Sequence, residues 1–225
     1  MVKMFAFPSR RADVTVADFH AHWRGPHREL AERIPSFRRY VQSHRRWDLD
    51  PGLPPAPFEG SAEVWFDRVG AALGMQDDPA YAEGAAKDEP NFIDMERLVF
   101  IFTAEDVLEP GAPIGRDDGG VKLMQMVRRA PGVDRGEFAT SWARSGEGVA
   151  GRLRADRDVA CRTLVDSPAE SAFDGVREIF WADPDDFELA RQEASPGWSC
   201  LQDPELVDPR ATRSMVVEEL RVIWP

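Results

Sequence analysis

Three of the four histidines in this chain lie in one short stretch, at His20, His22 and His27. An imidazole changes its charge near neutral pH, so each of them could act as a general acid or base. On a helix, Phe19, Trp23 and His27 are four residues apart and share one face. We therefore expect His27 at the end of an apolar stripe that faces the interior. There it is either a proton-transfer group in a pocket or a buried histidine bonded to a backbone carbonyl.

The fourth histidine lies on the strand that is predicted to follow this helix. Tyr40, Gln42 and His44 alternate along that strand and should share one face of the sheet. His44 would then reach the same pocket, or lie at the surface where the strand ends. Tyr40 could donate a hydrogen bond to an oxyanion, or belong to the core. We expect His27, His44 and Tyr40 to be the catalytic residues, with His27 as acid or base and the other two polarising a carbonyl group.

Aromatic side chains near these positions would line an apolar pocket or simply fill the core. We expect substrate contacts from Phe5, Phe7, Trp23 and Trp65. His22 lies about 100° around the helix from Trp23, which places it at the rim of the pocket or in solvent. We include it among the substrate-binding residues.

The sequence contains no motif that would hold a cofactor. A Gly-x-Gly-x-x-Gly loop is absent, and so is a serine-centred nucleophile elbow. His20 and His22 point to different sides of a helix, so the histidines lack the spacing of a helical metal-binding pair. We therefore predict no cofactor and no metal. Haem ligation by His27, or metal binding by the histidines, are the alternatives.

The composition disfavours several classes of partner. The 225 residues carry a net charge of −12, whereas nucleic acids and anionic membrane surfaces need a basic face. No apolar run approaches the roughly 20 residues of a membrane span. The two cysteines, Cys161 and Cys200, form no CxxC pair, which is typical of a reducing cytoplasm. A small apolar or aromatic molecule is the expected partner.

The chain repeats itself in order. One shift of register aligns the start of both halves, and it slips only in predicted loops. The matched segments are Val2-Lys3 with Val121-Lys122, Phe19 with Phe138, Trp23 with Trp142, and Glu63-Val64 with Glu178-Ile179. Such an ordered set indicates duplication. We predict a first unit over residues 1–105, a linker over 106–119 and a second unit over 120–225.

Each unit is predicted to follow the order βαββαβ. The first should have strands at 2–8, 37–47, 61–68 and 97–105 and helices at 15–34 and 69–86. Gly25-Pro26 should kink the first helix or loosen one of its turns, and the second helix is either continuous or broken near Asp77-Asp78-Pro79. The second should have strands at 120–128, 157–165, 174–182 and 212–223 and helices near 134–154 and 184–194. Two helices cover one face of each sheet, so the remaining faces are best buried against each other. The predicted fold class is α+β, with two ferredoxin-like units whose sheets pair into one barrel.

The first unit resembles a known family. A strand, a helix with Phe19-x3-Trp23-x3-His27, and a strand with Tyr40-Val41-Gln42-Ser43-His44 are together similar to the EthD family. The resemblance implies the dimeric α+β barrel superfamily, here as a pseudo-dimer within one chain that is a monomer or forms a homodimer. It also implies a small enzyme or an accessory protein of ether or aromatic degradation or polyketide tailoring, of the kind described as oxidoreductase-associated. The fold itself does not fix the chemistry.

Only the first unit contains histidines. The positions that match His22, His27 and His44 carry serine, glycine and threonine in the second unit, so we expect the first pocket to be the catalytic one. The predicted activity is cofactor-independent proton transfer (isomerisation, cyclisation, dehydration or decarboxylation) on an apolar, aromatic or polyketide-derived carbonyl compound. The alternatives are a non-catalytic binding or accessory protein of an oxidoreductase system, and a haem- or metal-binding barrel.

Overall fold

The computed structural model describes residues 1–164, 171–193, 198, 201 and 203–225. The strands, in chain order, are β1 Val2–Phe7, β2 Arg39–Arg45, β3 Gly60–Phe66, β4 Val99–Glu109, β5 Val121–Val127, β6 Arg157–Thr163, β7 Gly175–Trp181 and β8 Arg213–Ile223. The α-helices are α1 Val16–His22, α2 Arg28–Ala31, α3 Val69–Leu73, α4 Ala86–Asp88, α5 Arg135–Ser145, α6 Val149–Leu153 and α7 Pro184–Glu193. Two π-helical turns occur at Trp23–His27 and Tyr81–Ala85, and 3-10 turns at Gly74–Asp77, Glu89–Asn91 and Met95–Arg97.

The strands pair in the order β1-β3-β2-β8-β5-β7-β6-β4, which is a closed barrel. The chain is therefore a mixed α+β protein with an eight-stranded antiparallel barrel, and this agrees with the predicted dimeric α+β barrel class. Within the described residues, no helix has the length and apolar character needed to cross a membrane. Cys161 is buried and forms no disulfide there, and Cys200 lies outside the described part of the chain.

The chain divides into two compact units. The first comprises Met1–Arg45, Pro57–Phe102 and Glu219–Pro225, and the second comprises Arg46–Ala56 and Thr103–Glu218. This division differs from the predicted boundaries of 1–105 and 120–225. The reason is that β4 and β8 are strands of 11 residues that each contribute to both units. The segment predicted as a linker begins inside β4.

In the first unit, β3 lies between β1 and β2. Val64 on β3 is paired with Met4 on β1 and with Tyr40 on β2. Because paired residues share a face and neighbours along a strand alternate, these three side chains lie on one face of the sheet. They belong to the cluster that packs against the helices, with Ala31, Ile34 and Ala85. We call this side the helix face.

The first helical segment is interrupted where the sequence predicts it. Thr15 caps α1, because its side chain accepts a hydrogen bond from the backbone N–H of Asp18. Pro26 has no N–H to donate, and the turn that contains it widens into the π-helix Trp23–His27 before α2 continues the segment. The second segment was predicted as a helix over 69–86, either continuous or broken near Asp77-Asp78-Pro79. It is a series of short α, 3-10 and π turns, with an interruption after Asp77.

In the second unit, β7 lies between β5 and β6, and β5 also pairs with β8. The helices α6 and α7 pack on this sheet through a core that contains Leu153 and Phe187. The loop between β2 and β3, which contains Pro51, Pro54, Pro55 and Pro57, contributes to the same core. Its Leu53 packs there, and the Pro51 carbonyl accepts a hydrogen bond of 2.7 Å from the Trp198 indole.

The aromatic anchors that recur in both halves have the same packing role. Trp23 packs against Gly60 in the first unit, and Trp142 packs against Gly175 in the second. A Cβ at Gly60 would come within 3.0 Å of the Trp23 ring, and one at Gly175 within 2.6 Å of the Trp142 ring. Each tryptophan therefore needs a glycine at the start of the strand beneath it.

The recurring glutamates are buried ion-pair partners. Glu63 accepts from Lys3 at 2.8 Å and from the Ser43 hydroxyl. In the second unit, Glu178 accepts from Lys122 at 2.8 Å and from the Cys161 thiol at 3.3 Å. This arrangement explains why both glutamates recur.

Candidate functional site

The histidine-bearing stripe lies against the helix face of the first unit, as its spacing predicts. Phe19 and Trp23 are buried, and His27 is 6% exposed. The π-helical turn places His27 beside Phe92, whose ring centroid is 5.1 Å from the imidazole. His27 is thus an aromatic-packed imidazole at the end of an apolar stripe.

His27 has a carboxylate partner, Asp88, at the C-terminal end of α4. The Oδ2 atom of Asp88 lies 2.9 Å from Nδ1 of His27 and 2.9 Å from Nε2 of His22. The Asn91 amide donates to Oδ1 at 3.3 Å. One carboxylate therefore holds two imidazoles that are five residues apart across the widened turn.

The electrostatics of this pair fix the protonation of His27. Burial tends to raise the pKa of Asp88, but hydrogen bonds from His22, His27 and Asn91 outweigh it and lower that pKa below its usual range. Burial lowers the pKa of His27, and Asp88 opposes that shift only in part. At neutral pH, a neutral His27 donates its Nδ1–H to an ionised Asp88. The lone pair then resides on Nε2, which has no hydrogen-bond partner among the described residues and can act as a base.

His27 lines a small cavity between the helices and the sheet. The cavity has a volume of about 50 Å³. Its walls are mainly apolar, and they include four polar groups: His27, Tyr40, Tyr81 and Glu89. A groove of about 240 Å³ shares Met4, Met75 and Phe100 with it. An apolar ligand in the groove would extend towards these polar groups.

A second titratable group faces this cavity. Burial raises the pKa of Glu89 to about 7, although a hydrogen bond from the Tyr81 hydroxyl opposes the shift. The distance from that hydroxyl to each carboxylate oxygen is 3.1 Å. Glu89 can therefore hold or release a proton at neutral pH.

Tyr40 connects the cavity to the remaining two histidines. Gln42 donates from Nε2 to the Tyr40 oxygen at 2.9 Å, and its Oε1 lies 3.2 Å from Nε2 of His44. Nδ1 of His44 lies 2.8 Å from Nδ1 of His20. His44 is 1% exposed and does not line the cavity. Burial, together with Arg24 and His20, holds the pKa of His44 well below its usual value.

The structure divides the predicted site residues between the two faces of the sheet. Tyr40 and His27 line one cavity, and Trp23 and His44 pack together on the same side, with ring centroids 4.4 Å apart. Strand alternation places Phe5, Phe7 and Trp65 on the opposite face, where Lys3 lies over the rings of Phe5 and Trp65. The structure does not bring these three aromatic residues to the histidines. His22 is half-buried beside Asp88.

Sequence reasoning missed Asp88, Glu89 and Tyr81. They lie more than 50 residues from His27, with Tyr81 inside the segment 69–86 that was predicted as helical and Asp88 and Glu89 just after it. An acidic pair before Pro90 is typical of an ordinary exposed helix end, so no spacing linked it to the histidines. The apolar groove residues Met4, Met75 and Phe100 were missed for the same reason.

In the second unit, a different ion pair occupies the corresponding place. Gly146 stands where His27 stands in the first unit. A Cβ there would overlap the guanidinium of Arg177. Arg177 donates to the Gly146 carbonyl at 2.8 Å and to Asp158 at 2.9 Å, and both side chains are buried. The second unit therefore fills this place with an arginine instead of leaving a cavity with an imidazole.

Comparison with known proteins agrees with the fold and with the predicted family. Residues 11–96 match the model of the EthD domain, a range that contains all four histidines, Asp88 and Glu89. No curated protein sequence matches the chain.

Two solved structures share the fold at low identity. One is an anthrone oxidase-like protein, with 8% identity and a TM-score of 0.63, aligned over 98% of this chain and 92% of its own. Another is a variant of chlorite dismutase from Candidatus Nitrospira defluvii, with 10% identity and a TM-score of 0.53, aligned over 97% of this chain and 90% of its own. These likenesses establish the fold and leave the chemistry open.

Proposed function

We propose that the first unit, whose residues 11–96 match the EthD domain, is a small-molecule enzyme. The proposed reaction is cofactor-independent proton transfer on an apolar carbonyl compound. The observation that carries the proposal is the His27–Asp88 pair at the wall of an apolar cavity that Tyr40 also lines.

His27, Asp88 and Tyr40 have the chemical groups that the enolisation of a carbonyl compound requires. Nε2 of His27 takes a proton from the carbon beside the carbonyl group, and Asp88 stabilises the imidazolium that forms. The electron pair of the broken C–H bond forms a C=C bond to the carbonyl carbon, and the π electrons of the carbonyl move to its oxygen, where the Tyr40 hydroxyl stabilises the enolate. His27 then returns the proton to the same carbon or to a conjugated one, which gives exchange or isomerisation. Glu89 is a further group that could give or take a proton here.

The available space limits the substrate. The cavity and groove together lie near the lower end of the roughly 300–1,000 Å³ that small-molecule pockets occupy. One or two fused rings with a single carbonyl group match this size and the apolar lining. A porphyrin is far larger than the space beside His27, so the haem alternative has no support from this cavity.

The second unit supports the choice of the first as the active one. The matched tryptophan–glycine contacts and lysine–glutamate pairs favour an origin by duplication. In that account, the second copy kept the packing residues and replaced the imidazole site by the Arg177–Asp158 pair. It then serves as the other half of the barrel.

The experiment is hydrogen–deuterium exchange of a model ketone. 2-Tetralone is incubated with the protein in D₂O, and loss of its α-protons is followed by NMR. We expect protein-dependent exchange in the wild type and a loss of roughly 10²–10⁴-fold in His27→Gln, the usual contribution of one acid–base group. The matched control is Asp67→Asn, an exposed change in the same unit that should leave the rate unchanged.

Two results would contradict the proposal. Exchange that persists at the wild-type rate in His27→Gln would remove His27 from the mechanism. Binding of 2-tetralone without any exchange would favour the second candidate, a non-catalytic binding or accessory protein. That candidate is consistent with the apolar groove, whose lining at Met4, Met75 and Phe100 needs no titratable group to hold a ligand.

A further inference from the structure

We propose that the hydrogen-bonded chain of His20, His44 and Gln42 fixes the Tyr40 hydroxyl as a donor directed into the cavity. The site then selects compounds that present an acceptor oxygen, such as ketones and aldehydes, over hydrocarbons of the same shape. This inference rests on the proposed function and names its substrate class. His20, His44 and Gln42 act through Tyr40 and are positioning residues.

The side chain of Gln42 determines which group donates at each hydrogen bond of this series. Its side-chain nitrogen lies 2.9 Å from the Trp23 backbone carbonyl, which can only accept. That contact fixes which end of the buried amide is the donor. The same nitrogen donates to the Tyr40 oxygen, and the amide oxygen faces Nε2 of His44. His44 must therefore carry its hydrogen on Nε2.

The tautomer of His44 then sets that of His20. His44 is held neutral by burial, so a hydrogen on Nε2 leaves Nδ1 as an acceptor. Nδ1 of His20 is 2.8 Å away and must donate to it. Nε2 of His20 lies 3.7 Å from Glu59, which Arg10 contacts at 3.0 Å. Whether His20 is neutral or charged, the donor at its Nδ1 is retained.

The Tyr40 oxygen receives a hydrogen bond from Gln42, and no described residue accepts the hydrogen of the Tyr40 hydroxyl. Gln42 donates from Nε2 to the Tyr40 oxygen at 2.9 Å. The amide nitrogen of Gln42 cannot accept a hydrogen bond in return. Burial raises the pKa of Tyr40 to about 12, so the hydroxyl keeps its hydrogen. Among the described residues no acceptor faces that hydrogen, and the cavity is what remains.

The test compares the affinities of 2-tetralone and tetralin, which share a ring skeleton and differ in the carbonyl oxygen. We expect the ketone-to-hydrocarbon affinity ratio to fall roughly 3–10-fold in Tyr40→Phe, which removes the hydroxyl. Gln42→Glu should cause a similar fall, because a carboxylate beside Tyr40 accepts its hydrogen and turns it away from the cavity. The affinity for tetralin should not change. Gln192→Glu, an exposed change of the same chemistry in α7, is the control.

The outcomes separate this inference from the proposed function. If the ketone-to-hydrocarbon affinity ratio falls in Tyr40→Phe but stays at the wild-type value in Gln42→Glu, the positioning role of His20, His44 and Gln42 is overturned. The proposed site around His27 is unaffected by that result. A ratio unchanged in both variants overturns the donor role of Tyr40, while exchange that depends on His27 would still stand. If neither compound binds or perturbs the His27 resonances, both this inference and the proposed site fail.

A ligand-free measurement keeps the inference falsifiable if Gln42→Glu does not fold. Nitrogen-15 NMR of the wild-type imidazoles distinguishes protonated from unprotonated ring nitrogens. We expect His44 to be neutral with its hydrogen on Nε2, and His20 to carry a hydrogen on Nδ1. A hydrogen on Nδ1 of His44 would reverse the direction of donation between His44 and its neighbours, and this would overturn the inference.

Discussion

Replacement of Asp88 by asparagine tests the electrostatic centre of the site. The variant keeps the shape of the side chain and removes the charge that His22 and His27 share. Hydrogen bonds to a charged group contribute about 1.5–3 kcal/mol each. Asparagine can still accept one of them, so we expect a net loss of about 2 kcal/mol at pH 7.5. For a chain of this length that corresponds to a melting temperature lower by roughly 4–8 °C.

The same substitution should steepen the loss of stability in acid. Asp88 opposes the effect of burial on His27, so Asp88→Asn lowers the pKa of His27 further. Below the ordinary histidine value of 6.5, the unfolded chain then binds protons that the folded chain does not. Stability therefore falls as the pH is lowered from 6.5, and it falls more steeply in the variant.

The assay is urea unfolding at pH 7.5, 6.0 and 5.0, together with an NMR titration of the His27 ring. Asp67→Asn is the control, because Asp67 forms an exposed pair with Arg38 and such pairs contribute at most about 1 kcal/mol. The reasoning is refuted if Asp88→Asn is as stable as the wild type at pH 7.5, or if its His27 resonance titrates at a higher pH.

Three further predictions concern other parts of the molecule. Gly146→Ala should lower the melting temperature, because the added Cβ displaces the buried Arg177 guanidinium. The control is Gly151→Ala, whose added Cβ meets no atom within 4 Å and which should leave the melting temperature unchanged or higher. Equal melting temperatures in the two variants would contradict this packing. Lys3→Met should cost about 3–5 kcal/mol in urea unfolding, because it removes the buried cation 2.8 Å from Glu63. Adding Glu63→Gln should restore most of the loss, and no recovery in the double variant would contradict the ion-pair account. The pKa of Glu89 is raised to about 7. Between pH 4.5 and pH 7 the folded protein therefore keeps a proton on Glu89 that the unfolded protein has released. The free energy of unfolding consequently decreases as the pH rises through this range. The free energy of unfolding of Glu89→Gln should therefore rise relative to that of the wild type between pH 5 and pH 8. The control Glu83→Gln, an exposed change, should show no such rise. A difference in stability that does not depend on pH would show that Glu89 has an ordinary pKa.

The sequence predicts much of the fold, because its signals are local and repeated. The stripe of Phe19, Trp23 and His27 is buried, and the loosened turn at Gly25-Pro26 is a π-helix. The closed barrel agrees with the predicted α+β barrel class, and the family resemblance is confirmed by the match at residues 11–96. The sequence allows a break near Asp77-Asp78-Pro79, and the structure interrupts the helical segment there. The division of the rest into short 3-10 and π turns was not predicted, because short turns leave little periodicity to read.

The site is only partly predictable, for two physical reasons. Alternation along β1 places the side chains of Met4 and Phe5 on opposite faces of the sheet. Only the register between the strands shows which of the two faces packs against the helices. The partner of His27 is a single carboxylate from a distant segment, and long-range contacts of this kind leave no spacing in the sequence. The catalytic roles of His27, His44 and Tyr40 stay predictions, with His44 now placed behind Tyr40 and outside the cavity wall.

The pH dependence of 2-tetralone exchange tests the central claim most directly. If neutral His27 is the base, the exchange rate rises with pH through the pKa of His27 and then levels off. In Asp88→Asn the midpoint must move to lower pH, because the carboxylate that raises the pKa of His27 is gone. A profile with the same midpoint in both proteins, or a rate that falls as His27 loses its proton, would contradict the account.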